Sequence, residues 1–252
     1  MIKTFTHLAD KTIIINKVLY IMNKNIEALT HSQHKDLRLS KITSFAFAKN
    51  VSSVKLSFSE LRQASRYYPI VFLNADPSLP QALLSLKPGE NNFIDEKGNW
   101  KVPYIPAYFR LYPFMLAAIQ GQEEKLALCI DPEADHFKSG MGDPLFTADG
   151  ELTEAVQKIL KSLEMYQKEI TQTQALFKTL DRQGLIVDRA FKYRVNQEEK
   201  SIKGFKGVDM EKLYALDDKT LAGYVKNGTM QMVYELNHSL SNFSKFIAPA
   251  QK

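Results

Sequence analysis

At 252 residues, with 44% hydrophobic and 24% charged side chains, the chain is long enough to bury a substantial core and too apolar for an intrinsically disordered segment. Lys and Arg exceed Asp and Glu by 33 to 28, but the two signs are interleaved along the chain, so no basic patch for nucleic acid stands out. No apolar run reaches the length of an integral membrane segment, and the single Cys129 cannot close an intrachain disulfide.

In chain order, TIIINKVLYIM at Thr12 to Met22 is interrupted by Asn16 and Lys17 and lacks a following small-residue cleavage site, which argues against a secretory signal. Three consecutive isoleucines favour a strand or an irregular segment there over an amphipathic helix. Residues 1–21 read as an N-terminal extension, with Met22 as a natural start and 22–252 as one domain. From Asp36 to Ala48, apolar Leu37, Leu39, Phe45 and Phe47 fall at alternate positions and predict one or two half-buried strands. Ser57 with Glu60 three residues on forms a capping-box pattern, opening a helix whose face carries Phe58, Leu61 and Ala64.

The densest stretch follows, from Tyr68 to Pro113, with the only tryptophan and seven of the ten prolines. Pro69 to Leu73 reads as a strand, Asn74 to Pro80 as a turn-rich loop and Gln81 to Leu86 as a second strand, antiparallel because the connection is too short for a crossover. Gly98 suits the left-handed turn of a hairpin joining Asn92–Ile94 to Trp100–Val102. A short helical turn is expected near Pro106, in VPYIPAYFRLYP. Its aromatic residues either wall a pocket or cover the end of a sheet.

Phe114 to Ile119 and Lys125 to Ile130 predict a hairpin, and Asp131 to Gly142 a polar loop. Asp131, Glu133, Asp135 and His136 lack both the calcium-loop spacing and the second histidine of a zinc motif, so no metal is expected. Leu152, Val156, Ile159, Leu163, Tyr166, Ile170, Phe177 and Leu180 mark a long amphipathic helix ending near Gln183 with Gly184 as its cap. A strand at LIVD and Arg189 to Val195, a charged loop, and short helices over Met210–Leu216 and Asp217–Lys226 complete the pattern. The fold class expected is α+β: a mainly antiparallel sheet covered by a long amphipathic helix, with short C-terminal helices.

The five histidines form no HExxH motif, and G-x-S-x-G, dinucleotide and P-loop fingerprints are absent from the sequence. No cofactor is expected, and no catalytic set is assigned. If a ligand binds, Tyr104, Tyr108 and Arg110 are expected at the mouth of its site; Arg110 would meet an anion there or pair internally with a carboxylate such as Glu90.

Several segments taken together resemble the bacterial SapC family: HKDLRL, YPIVF, LKPGENNFIDEKGNW, YIPAYFRLYPF, LALCID, GDPLFTADGE, GFKGVDMEKLYAL and MVYELNHSLSN. The likeness runs over most of the chain from about Met22. It implies a noncatalytic surface-layer (S-layer) associated or accessory protein with a protein partner or a small ligand. The family's genomic company of hydroxylases and halogenases implies the alternative, an intracellular enzyme or enzyme accessory acting on a small molecule or peptide. A cytoplasmic location is expected, with cell-surface association as the alternative.

Overall fold

The computed structural model describes residues 13–14, 25–41, 43–119, 122–195 and 197–247. Its strands are β1 (Ile13–Ile14), β2 (Glu27–Ala28), β3 (Arg38–Leu39), β4 (Ser53–Lys55), β5 (Ile70–Leu73), β6 (Asp76–Leu83), β7 (Phe114–Ile119), β8 (Gln122–Ile130), β9 (Asp143–Pro144), β10 (Ile186–Val195) and β11 (Glu198–Val208). The helices are α1 (His31–His34), α2 (Phe58–Ala64), α3 (Ala107–Leu111), α4 (Asp135–Lys138), α5 (Glu154–Arg182), α6 (Met210–Tyr214), α7 (Asp218–Asn227), α8 (Thr229–Ser239) and α9 (Ser244–Ile247). The strand pairings are antiparallel, and the fold class is α+β. The described residues fall into two compact units: those within 1–49, 96–99 and 108–167 form the first, and those within 50–95, 100–107 and 168–252 the second. Of the N-terminal extension only Ile13–Ile14 is described, paired with Ile119 and Ala118; the Met22 boundary lies outside the described residues.

The first unit is built on a sheet of order β1-β7-β8-β2. The run FMLAAI is apolar at every position because both faces of β7 are covered. Phe114 joins a cluster with Ile130, Leu145, Val156 and Leu163, while Met115, Ala117 and Ile119 join Ala127 and Cys129. The N-terminal half of α5 thus buries its stripe in this unit, each fully buried aliphatic side chain stabilising it by about 1.5–3 kcal/mol. The alternation over Asp36 to Ala48 yields only the two-residue β3 and a 3-10 turn at Ala46–Ala48. Leu37 and Phe47 pack against the core outside any strand and Leu39 from the short β3, so period-two burial arises there with almost no sheet. The expected loop of Asp131 to Gly142 contains α4, and β8 begins at Gln122, ahead of the expected Lys125.

In the second unit the sheet order is β10-β11-β5-β6-β4. Of the loop expected over Asn74 to Pro80, Asn74 and Ala75 form a turn, and Asp76 to Pro80 are instead the first part of β6. Its prolines are tolerated because the register shifts between Val71 and Leu73 and β4 pairs only with Gln81 to Leu83, leaving Pro77 and Pro80 outside the regular ladder. The charged loop expected after Val195 is also strand: Val195 pairs with Glu198, Gln197 takes a φ of 67°, and β11 runs on to Val208. Phe205 and Phe243 pack with Val71 and Leu83 beneath this sheet. The C-terminal half of α5 contributes Phe177, 4.7 Å from Phe72, and Thr173, whose hydroxyl accepts the Phe58 amide at 2.8 Å. The helix stops as expected, with Gly184 left-handed at φ 65°. Helix α7 starts on the Asp217 carboxylate, which accepts from Thr220 N at 2.9 Å, and ends at left-handed Gly228.

Candidate functional site

The residues expected at a ligand mouth fall in different surroundings. In the second unit, Tyr104 donates its hydroxyl to Glu60 Oε1 at 2.9 Å, and the Ala107 amide donates to the same oxygen at 2.7 Å. Glu60 Oε2 accepts from Ser57 N at 2.9 Å, so this buried carboxylate closes the capping box of α2 and anchors the chain before α3. Tyr68 donates to the Tyr104 carbonyl and accepts from Trp100 Nε1 at 2.7 Å; burial drives its phenol far above the ordinary range. Tyr104 is thus part of a satisfied structural network. Glu90 is exposed and stands 3.6 Å from Lys87.

In the first unit, Tyr108 lines a narrow slot of about 60 Å³ with Leu111, Phe114, Leu116, Leu163 and Tyr166. Burial pushes the Tyr108 phenol up to about 12. Arg110 stands on the same helix, exposed, and is not among the residues lining the slot.

A larger feature of the first unit draws on the loop read from sequence only for metals. A cleft of about 500 Å³ is lined by Ser40, Lys41, Thr43, Ser44, Asp135, His136, Ser139, Met141 and Gly142. The Ser40 amide donates to the His136 carbonyl at 2.9 Å, and β3 pairs with β9, so both walls are tied by backbone bonds. The hydroxyls of Ser40 and Ser139 lie within hydrogen-bond distance of one another and of the Met141 carbonyl, 2.8 and 3.1 Å from it, and their two protons can serve two of these three contacts at a time. Gly142 has a φ of 118°, and a Cβ there would fall 2.2 Å from the Leu39 carbonyl oxygen, so only glycine lets the ledge approach so closely.

Behind the ledge, Tyr112 stacks on Phe47 at 4.3 Å, and the His136 ring lies 5.2 Å from Tyr112 and 5.8 Å from Phe47. His136 is 6% exposed, and neither ring nitrogen has a hydrogen-bond partner. Burial lowers its pKa, opposed by the charge of Asp135, and favours the neutral imidazole. Tyr112 donates to Asp131 at 3.1 Å, and burial pushes both groups up. Asp135 pairs with Lys138 at 2.7 Å. Among the described residues no group of three or more His, Cys, Asp or Glu is placed to hold a metal ion. The arrangement offers hydrogen-bond donors and acceptors on a fixed frame. The signal for it in the sequence was Ser139-Gly140-Met141-Gly142, where two glycines bracket an exposed methionine next to a histidine-bearing turn, but its opposite wall at Ser40 to Ser44 lies about a hundred residues away in the chain.

The fold is α+β with antiparallel sheets and a 29-residue helix, and no helix among the described residues is long and apolar enough to cross a membrane. The SapC family model matches residues 29–246, nearly the whole chain, and the chain belongs to that family. No curated protein and no solved structure matches it.

Proposed function

We propose that this SapC-family chain is a noncatalytic binding protein, surface-layer associated or accessory to an enzyme, that engages its ligand or partner through the polar cleft of its first unit. The observation that carries this reading is the character of the cleft: two hydroxyls whose protons are taken up by each other and by a carbonyl, a carboxylate paired with a lysine, and an imidazole whose nitrogens have no hydrogen-bond partner. General acid-base or nucleophilic catalysis needs a base within hydrogen-bond reach of the proton it takes. Cys129, the strongest nucleophile in the composition, supports the same reading, since it is fully buried and burial pushes its thiol up to about 12. A buried reduced thiol also suits a cytoplasmic pool from which a partner holds some of the protein at the envelope. One domain that spans both compact units is part of the proposal, supported by a single family match running across them.

Gentle washing and fractionation of cells making the native protein test the placement. Recovery of most of it in the surface wash supports the surface-layer arm, and recovery in the cytosol in complex with an enzyme supports the accessory arm. Turnover of a bound small molecule by the purified chain, lost on changing a residue of the cleft, would refute the noncatalytic reading.

A further inference from the structure

We infer that the cleft is a carbohydrate site, taking a neutral, hydroxyl-rich ring rather than an anion. This rests on the cleft being the binding surface of the protein and names the chemistry that it selects. A site for phosphate or carboxylate gathers cations and amide donors, whereas this lining mixes signs and roles. Lys41 brings donors, Asp135 brings acceptors, and Ser40, Thr43, Ser44 and Ser139 bring hydroxyls that do both. Met141, 74% exposed at the rim, adds an apolar surface of the kind that the C–H face of a sugar covers. The volume of about 500 Å³ falls within the range of small-ligand sites and leaves room for roughly one or two sugar rings.

His136 supplies a separate observation. It lines the cleft, is 94% buried by its 6% exposure, and leaves a ring donor and a ring acceptor unmatched. Buried polar groups nearly always have partners, and an unmatched imidazole carries a standing desolvation cost. A hydroxyl both donates and accepts, so it can complete either ring nitrogen of neutral imidazole. An ionised phosphate oxygen only accepts and can serve the N–H alone. Both ring nitrogens are closed off in the ligand-free protein, so meeting a ligand hydroxyl requires the ring to turn toward the cleft.

The test uses the purified full chain with free hexoses, a short neutral glucan, the same glucan as insoluble polymer, and inorganic phosphate as the anion control, read by calorimetry and by amide shifts of Ser139 to Gly142. Binding of a free sugar or of the polymer supports the inference, and the two arms separate a soluble metabolite from a polysaccharide end. Asp135→Asn and His136→Phe should each weaken sugar binding about tenfold or more, whereas Lys161→Gln, exposed on α5 and outside the cleft lining, should leave it within about threefold. Asp135 is exposed, so its variant reports on binding even if the His136 variant is misfolded. Binding of phosphate without sugar, no sugar binding at millimolar concentration, or equal affinity in wild type and Asp135→Asn overturns the carbohydrate assignment while leaving the noncatalytic reading to the fractionation result. Sugar turnover reverses that outcome: the ligand class stands and the noncatalytic reading falls.

Discussion

Replacing Tyr104 by phenylalanine separates a structural role from a ligand-binding one. The tyrosine hydroxyl gives one of the four hydrogen bonds that converge on the Glu60 carboxylate, at 2.9 Å, alongside Ala107 N, Ser57 N and the Ser57 hydroxyl. A hydrogen bond to a charged group contributes about 1.5–3 kcal/mol, and the ring itself is kept, so no large cavity term is added. For a chain of this length that loss lowers the melting temperature by about 3–12 °C when unfolding is cooperative. Urea unfolding followed by Trp100 fluorescence is the natural assay, since Trp100 donates to Tyr68 in the same network. Glu60→Gln should be worse than Tyr104→Phe, because an amide turns one acceptor oxygen into a donor facing amide and hydroxyl donors. A Tyr104→Phe variant within about 0.5 kcal/mol of wild type would refute the network as a source of stability and return Tyr104 to the list of surface groups.

His136→Phe should raise stability in the absence of ligand by about 1–3 kcal/mol, since it removes two unmatched buried nitrogens and keeps an aromatic ring between Phe47 and Tyr112; urea midpoints decide this. In wild type, the lowered folded-state pKa of His136 means that its neutral form costs nothing extra above the ordinary value of 6.5 and that stability is lost as the pH falls below it, a slope that His136→Phe should flatten between about pH 7 and 5. Gly142→Ala forces a side chain against the Leu39 carbonyl from a left-handed backbone and should cost about 1–3 kcal/mol or disorder the ledge, visible as lost amide protection at Ser139 to Gly142. Cys129 should resist alkylation in the native protein at pH 8 and react once unfolded, and its exposure in the first unit should share a midpoint with Trp100 fluorescence in the second if the two units form one cooperative domain.

How legible the fold was depends on whether a pattern was set by neighbours in sequence or by distant ones. The capping box at Ser57 and Glu60, the stop at Gly184 and the end of α7 at Gly228 are local, and each was readable because the side chain or the glycine that makes the boundary lies within a turn of it. The stripe of α5 was equally plain, yet its gap between Ile170 and Phe177 hid Thr173, a polar residue buried because its hydroxyl serves the Phe58 amide from 115 positions away. Pro77 and Pro80 suggested a loop because nothing nearby reveals that β4 stops short of them, and the charges of β11 suggested another because a strand exposed along much of its length has no need of apolar residues. The site divides in the same way. Tyr104 and Tyr108 were singled out for composition, which cannot distinguish an aromatic side chain facing a ligand from one tied to Glu60 or packed along a slot. The cleft was missed because its two walls come from Ser40 to Ser44 and Asp135 to Gly142, and neither carries a motif alone. What joins them is backbone bonding between Ser40 and His136 and the missing Cβ of Gly142, so the chemistry of the site is set by chain geometry and by a buried histidine whose lack of partners no sequence pattern can display.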